Sequence, residues 1–210
     1  MSRHGPSVKE ISEQQFRDFA KHFATSPEIG PIATSLDSDA KKSNVEFERV
    51  LVGLWGCETL CAVACFHLYR SAMDKARVVL KLDSVVVAPP LRRRGLAGVL
   101  VAQGFADLLA DSVRNIVRIY AHSVHPATVR MLRSLGFHDP QIVGAPISDL
   151  RIETSNREAF LKTCEAEIRG QMEQMRLQCE FCRKGDRRAR PWCAARGEKP
   201  QPESVPKDAQ

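Results

Sequence analysis

Aromatic side chains are scarce in this chain of 210 residues: they make up 6%, with two Trp and two Tyr. Single-stranded nucleic acid is held by aromatics interleaved with basic residues, and neither Trp55 nor Trp192 lies in such a pattern. Long apolar runs are missing as well. No stretch approaches the roughly 18 to 20 residues of a membrane span, and the opening MSRHGPSVKEISEQQ lacks the apolar core of a secretory signal. The seven cysteines (Cys57, Cys61, Cys65, Cys164, Cys179, Cys182 and Cys193) are odd in number, and three fall at four-residue spacing inside an apolar stretch. That is not the pattern of a secreted disulfide framework, so a reducing cytoplasm is the expected setting. Two phosphate-binding loops are also absent. No GxxxxGK followed by Ser or Thr occurs and no GxGxxG opens a helix, which argues against P-loop nucleotide hydrolysis and Rossmann dinucleotide binding.

What is present is the composition of a globular protein, 43% hydrophobic and 27% charged. The net charge of +6 is uneven. Residues 183–210 hold eight Lys or Arg against four Asp or Glu, so this tail carries +4 and the rest of the chain +2. A nucleic-acid partner is therefore not implied for the body of the protein, and a solvated basic tail over 185–210, too poor in aliphatic side chains to pack, is expected.

Along the chain, Ser12 caps a helix carrying Phe16, Phe19, Ala20 and Phe23 at helical spacing. Thr25 to Asn44 reads as a loop. Three β-like runs follow, Val45 to Trp55, Thr59 to Tyr69 and Ala76 to Val87, separated by short turns, which predicts an antiparallel meander. After Pro89 and Pro90 the order changes to an apolar helix from Leu96 to Leu109, a strand from Ile116 to Ser123, and a helix opened by Pro126 and closed by Gly136. Short strands are expected at Gln141 to Val143 and Leu150 to Thr154. From Asn156 to about Cys182 a long charged helix bears one apolar stripe, Phe160, Cys164, Ile168, Met172, Met175 and Cys179, suited to packing on the domain or on a second copy in a homodimer. The fold class is α/β of the α+β type, a mixed and mostly antiparallel sheet flanked by helices. It divides into a domain over 1–156, an amphipathic helix over 157–184 and the tail.

The chemistry concentrates in VVLKLDSVVVAPPLRRRGLAGVLVAQGF, Val78 to Phe105. A strand runs through a tight turn into a helix whose first turn holds Gly95, Ala97 and Gly98. Unpaired amides at such a helix start favour an anion, and Arg92, Arg93 and Arg94 add forked cationic donors suited to phosphate or pyrophosphate.

In this segment the chain resembles the GNAT superfamily of acetyl-CoA-dependent N-acetyltransferases. The signature Q/R-x-x-G-x-G/A is matched by Arg92 to Ala97, placed after a strand ending Val86 to Pro89. A second family element is recognisable in HPATVRMLRSLGF, His125 to Phe137. The resemblance spans roughly Ser7 to Thr154 and is strongest from Val78 to Phe137. It implies a sheet splayed between two central strands, with the CoA pyrophosphate on the amides of Arg93, Arg94, Gly95, Leu96, Ala97 and Gly98. It also implies pairing of the pantetheine arm with the backbone of Val85 and Val87. Acetyl-CoA is the implied co-substrate and no metal is called for. The acceptor is an amine, on a small molecule or a protein.

Two positions depart from the family. His125 stands where Asn is frequent, and Leu132 stands where many members have the Tyr that protonates the departing thiolate. For the general base, Asp83 is the first candidate, since alternation along the strand places Asp83, Val85 and Val87 on one face; its other role is a salt bridge with Lys81 or a loop arginine. His122 is the second candidate. Glu46 and Glu48 are read as contacts for a cationic acceptor or as plain surface residues. Cys179 and Cys182 with Cys193 lack a nearby fourth ligand for structural zinc. The reading that competes with an enzyme is a catalytically weak acyl-CoA-binding module acting on a partner protein or RNA.

Overall fold

The computed structural model describes residues 6–23, 47–56, 59–70, 77–111, 114–123, 125–139, 149–152 and 157–183. The expected loop over 25–44, the strand at 141–143 and the tail lie outside them.

Elements follow in the order β1 (Ser7–Glu10), α1 (Glu13–His22), β2 (Phe47–Gly56), β3 (Thr59–Arg70), β4 (Val78–Val87), α2 (Leu96–Ala110), β5 (Ile116–His122), α3 (Pro126–Ser134), β6 (Asp149–Ile152) and α4 (Arg157–Arg183). A 3-10 turn, Pro89–Leu91, joins β4 to the loop before α2. The six strands form one sheet in sequential order. Neighbours are antiparallel except β4 and β5, which are parallel and joined by the crossover helix α2. The mixed, mostly antiparallel sheet flanked by helices is present as the sequence led us to expect. β1 is an addition; a four-residue edge strand with one half-buried and three exposed side chains carries no alternation to detect.

Local chemistry sets the ends of the helices. Ser12 and Gln15 form a reciprocal cap: the Gln15 amide donates to Ser12 Oγ at 3.2 Å, and the Ser12 amide donates to Gln15 Oε1 at 2.8 Å. Gly136 follows α3 at φ 93°, as its placement predicted.

α2 is apolar on most sides, with ten buried residues from Leu96 to Leu109, because it packs between the sheet and α4; Gln103 and the exposed Asp107, 2.7 Å apart in a hydrogen bond, mark its outer strip. Phe105 touches Phe66 of β3 at 5.2 Å, Phe137 at 5.6 Å and Phe160 of α4 at 5.5 Å between ring centroids. α4 runs antiparallel to α2. Arg157 donates to the Leu109 carbonyl at one end, while Glu167 and Gln171 lie against Gly98 and Gly95 at the other. Phe160, Cys164 and Met175 are buried in the common core. The described part of the apolar stripe, Phe160 to Met175, is thus spent on the same chain.

Candidate active site

Two backbone features meet at the C-terminal end of β4. The first is a turn. The Ala88 amide donates to the Cys61 carbonyl at 2.9 Å, which holds the strand end in place, and the Leu91 amide donates to Ala88 at 2.8 Å. Arg93 and Gly95 then take left-handed conformations, φ 63° and 74°. A side chain in that region costs about 1–2 kcal/mol, so Arg93 marks a turn imposed by its surroundings. Left-handed residues spaced through a tight turn orient successive amides into an anion-binding concavity. α2 begins directly afterwards. Its first paired amide is Val99 N, on the Gly95 carbonyl at 3.3 Å, so the amides of Leu96, Ala97 and Gly98 precede the helical ladder and add the positive end of the dipole.

The arginines do not act as a uniform cluster. Arg92 folds back and donates through Nε to the Val87 carbonyl at 3.3 Å, clamping the turn to the strand. Arg92 and Arg93 are exposed and Arg94 is half-buried.

The second feature is a fork. β4 continues to Val87, whereas its pairing with β5 ends at Leu82 opposite Ala121. Asp83 and His122 are the next residues on the two strands, and the β5-facing edge of residues 83–87 opens above the turn. The two sequence-derived base candidates therefore stand at the mouth of the same opening. Val85 and Val87 remain paired with Ala64 and Ala62 on the other side.

The face assignment needs correction. Cys65 pairs with Ser84 and Phe66 with Leu82, which leaves Asp83 as an extra residue in a bulge. Antiparallel partners share a face, and a one-residue slip moves every later side chain to the other face. Val85, opposite Ala64, lies on the side of Phe66 and α2, whereas Asp83 lies on the opposite side with Lys81. Strand alternation read from sequence alone does not pass through a bulge.

On that opposite side the structure assembles a polar group. Lys81 Nζ is 2.8 Å from Asp83 Oδ1, the ion pair foreseen as the alternative role of Asp83. His67 Nδ1 is 3.8 Å from the same oxygen and 3.0 Å from the Tyr69 hydroxyl. His67 is 1% exposed, the buried polar residue among the described core. Burial works to lower the pKa of Lys81, but its hydrogen bond to Asp83, the charge of Asp83 and the nearby Tyr69 and Tyr120 outweigh it and raise the pKa above the ordinary value. Lys81 thus stays cationic and serves as the counter-ion of Asp83. Sequence reasoning passed over His67, Tyr69 and Tyr120. The alternation of His67 and Tyr69 along one strand was the available signal, but only the pairing of β3 with β4 shows what they face.

The remaining candidates are not among the bonded residues of that polar group. His122 is exposed and paired with Asp149 across β5 and β6. His125 is the exposed N-cap of α3, with no side-chain cap bond. Leu132 is fully buried and supplies no proton. Glu48 is bound to Arg114 at 2.7 Å; Glu46 lies outside the described residues, as do the side chains of Cys179, Cys182 and Cys193.

α4 completes the turn from outside. A Cβ at Gly98 would stand 2.7 Å from the Glu167 carboxylate, and one at Gly95 would stand 2.7 Å from the Gln171 amide oxygen. Both glycines allow this close approach. Burial, reinforced by Glu165 and Glu167, pushes the neighbouring Cys164 thiol up to about 12.

No family model matches the chain, and no curated protein does. Among solved structures the chain is similar to a Desulfovibrio desulfuricans protein assigned to the GNAT family of acetyltransferases, at 16% identity over 71% of this chain and 99% of that one, with a TM-score of 0.49. It is also similar to a GNAT family acetyltransferase from Brucella melitensis in complex with acetyl-CoA, at 12% identity over 72% and 90%, TM-score 0.47. A ribosomal-protein-alanine N-acetyltransferase from Brucella melitensis biovar Abortus stands at 15% over 68% and 98%, TM-score 0.46. Each resembles this chain in the course of its backbone; the turn, the fork and the polar group are features of the chain itself.

Proposed function

We propose that the protein is an acyl-CoA-dependent N-acyltransferase that moves an acetyl group from acetyl-CoA to a primary amine by direct attack in a ternary complex. The observation that carries this reading is the juxtaposition of the fork between β4 and β5 with the left-handed turn at the start of α2. The turn offers amides to a pyrophosphate, and the fork offers strand backbone at Val85 and Val87 to an extended amide-bearing arm.

The residues then take definite parts. The amides from Arg93 to Gly98 hold the pyrophosphate, with Arg92 fixing the turn and His125 flanking the opening. A backbone amide at the fork polarises the thioester carbonyl as the tetrahedral centre forms. Asp83 takes the proton of the attacking amine, directly or through a water, with His122 as the alternative base. The departing thiolate needs no strong acid, because a thiol has a reference pKa of about 8.5.

The acceptor is an amine of a small molecule or a protein. No described helix is long and apolar enough to cross a membrane. A cytoplasmic setting belongs to the proposal, supported by the odd number and the spacing of the cysteines. A homodimer would need a face of α4 other than its apolar stripe. The burial of Leu132 favours a second reading, an acyl-CoA-binding module with weak catalysis that acts on a protein or RNA.

Calorimetry with acetyl-CoA followed by CoA release across a panel of amines tests the proposal. Binding with turnover supports the enzyme, binding without turnover supports the module, and absence of binding overturns both.

A further inference from the structure

Cys65 and His67 alternate on β3 on the face turned away from α2, and the bulge in β4 delivers Asp83 to the same place. One ligand atom from each, sulfur, imidazole nitrogen and carboxylate oxygen, lies within 4.8 Å of the other two. Cys65 is fully buried and His67 1% exposed, and the Asp83 side chain is 17% exposed. We propose that Cys65, His67 and Asp83 form a binding site for a thiophilic divalent cation of the zinc class.

Donor chemistry selects that class. A thiolate is soft, an imidazole borderline and a carboxylate hard; this mixture suits zinc and its near neighbours, whereas magnesium and calcium seek oxygen alone. Donors bonded to zinc at about 2.0–2.3 Å stand about 3.5 Å apart around a tetrahedral ion, so a cluster of this size closes by side-chain rotation. The scaffold is rigid, being two adjacent strands in the middle of the sheet. The His67 ring is packed against Phe47, 4.8 Å away between centroids, and its Nδ1, which faces Asp83, exchanges the Tyr69 hydroxyl at 3.0 Å for the metal on binding. Three protein ligands leave a fourth position on the exposed side of Asp83, for water or for a group of an incoming molecule.

Lys81 is the competitor. Its ammonium holds Asp83 at 2.8 Å while its own side chain is 23% exposed, free to swing outward. On binding, the Cys65 thiol releases a proton to solvent, a metal–sulfur bond forms, and Lys81 leaves Asp83. The site is independent of CoA recognition. On the acyl-transfer reading, its occupancy also withdraws Asp83 from proton transfer.

The test is titration of the full chain, carrying Ser at Cys57, Cys179, Cys182 and Cys193, with Zn2+ by calorimetry and with Co2+ by absorption of the thiolate–cobalt band. One equivalent should bind with a thiolate band. Cys65→Ser and His67→Gln should weaken binding by more than about 100-fold, beyond what loss of an outer contact costs. Lys81→Met should tighten it, an effect that a merely structural cluster would not give. Absence of the band, an unchanged affinity in a folded Cys65→Ser protein, or no gain from Lys81→Met overturns the proposal. Far-ultraviolet circular dichroism of the same preparations reports folding. Acetyl-CoA affinity separates the two ideas: metal binding by the folded protein without acetyl-CoA binding removes the transferase reading and leaves the metal site standing.

Discussion

The two sides of β4 are built from different materials. Towards α2 the strand meets a closed apolar layer, and what it offers to a ligand is backbone: amides in a left-handed turn and an unpaired strand edge. Away from α2 it offers side chains, Lys81, Asp83, His67 and Tyr69, held by one another. A backbone site tolerates many sequences as long as its dihedral angles survive. A side-chain site tolerates almost none, yet it can be altered without disturbing the helix behind it. On the proposed function, binding and chemistry are thereby separable across the thickness of one strand.

The strongest attack on the backbone side is Gly95→Glu. It forces a side chain into φ 74°, drives it against Gln171 and brings negative charge to the anion seat. Acetyl-CoA affinity should fall by more than about 100-fold, equal to about 2.7 kcal/mol, while far-ultraviolet circular dichroism is retained. Unchanged affinity would place the anion elsewhere.

The matching attack on the side-chain side is Asp83→Asn. Turnover should fall by roughly 10²- to 10⁴-fold with acetyl-CoA affinity unaltered. A joint loss of binding and turnover would mean that the two sides are not separable. Normal turnover across the pH range would move the role to His122.

Leu132→Tyr sharpens the comparison from α3. In a fully buried position the ring overpacks the core, and we expect a loss of about 1–3 kcal/mol in chemical denaturation with no gain in CoA release. A faster release would show room for a hydroxyl near the thioester.

The smallest effect concerns α4. Burial pushes the Cys164 thiol up from its ordinary 9.0 to about 12, so the folded state retains a proton that the unfolded chain gives up. Its contribution is intact below about pH 9 and is lost progressively as pH rises towards 12. Stability against pH should decline less steeply above pH 9 in Cys164→Ala than in the parent; parallel curves would contradict the burial of the thiol.

The backbone side was legible in the sequence because its residues are consecutive: Pro89 to Gly98 contain the turn, the left-handed positions and the helix start in one string. The strands and helices were legible from the same local periodicity, apart from the short edge strand Ser7–Glu10. The side-chain site was not. His67 and Asp83 are brought together by strand register, and the bulge at Asp83 inverts the alternation by which its face was judged. The stripe on α4 was visible too, but only packing decided that it serves α2.

The clasp of α4 on α2 has a consequence for how the protein is made. Gly95 and Gly98 meet Gln171 and Glu167, which are synthesised long after them. During translation α2 therefore emerges with the apolar flank that α4 will cover still bare, and contacts between segments so distant in the chain close late. The nascent chain passes through a stage in which the sheet can assemble while the first turn of α2 still lacks its outer wall. Capture by a chaperone, or premature association through the bare flank of α2, would act in that interval.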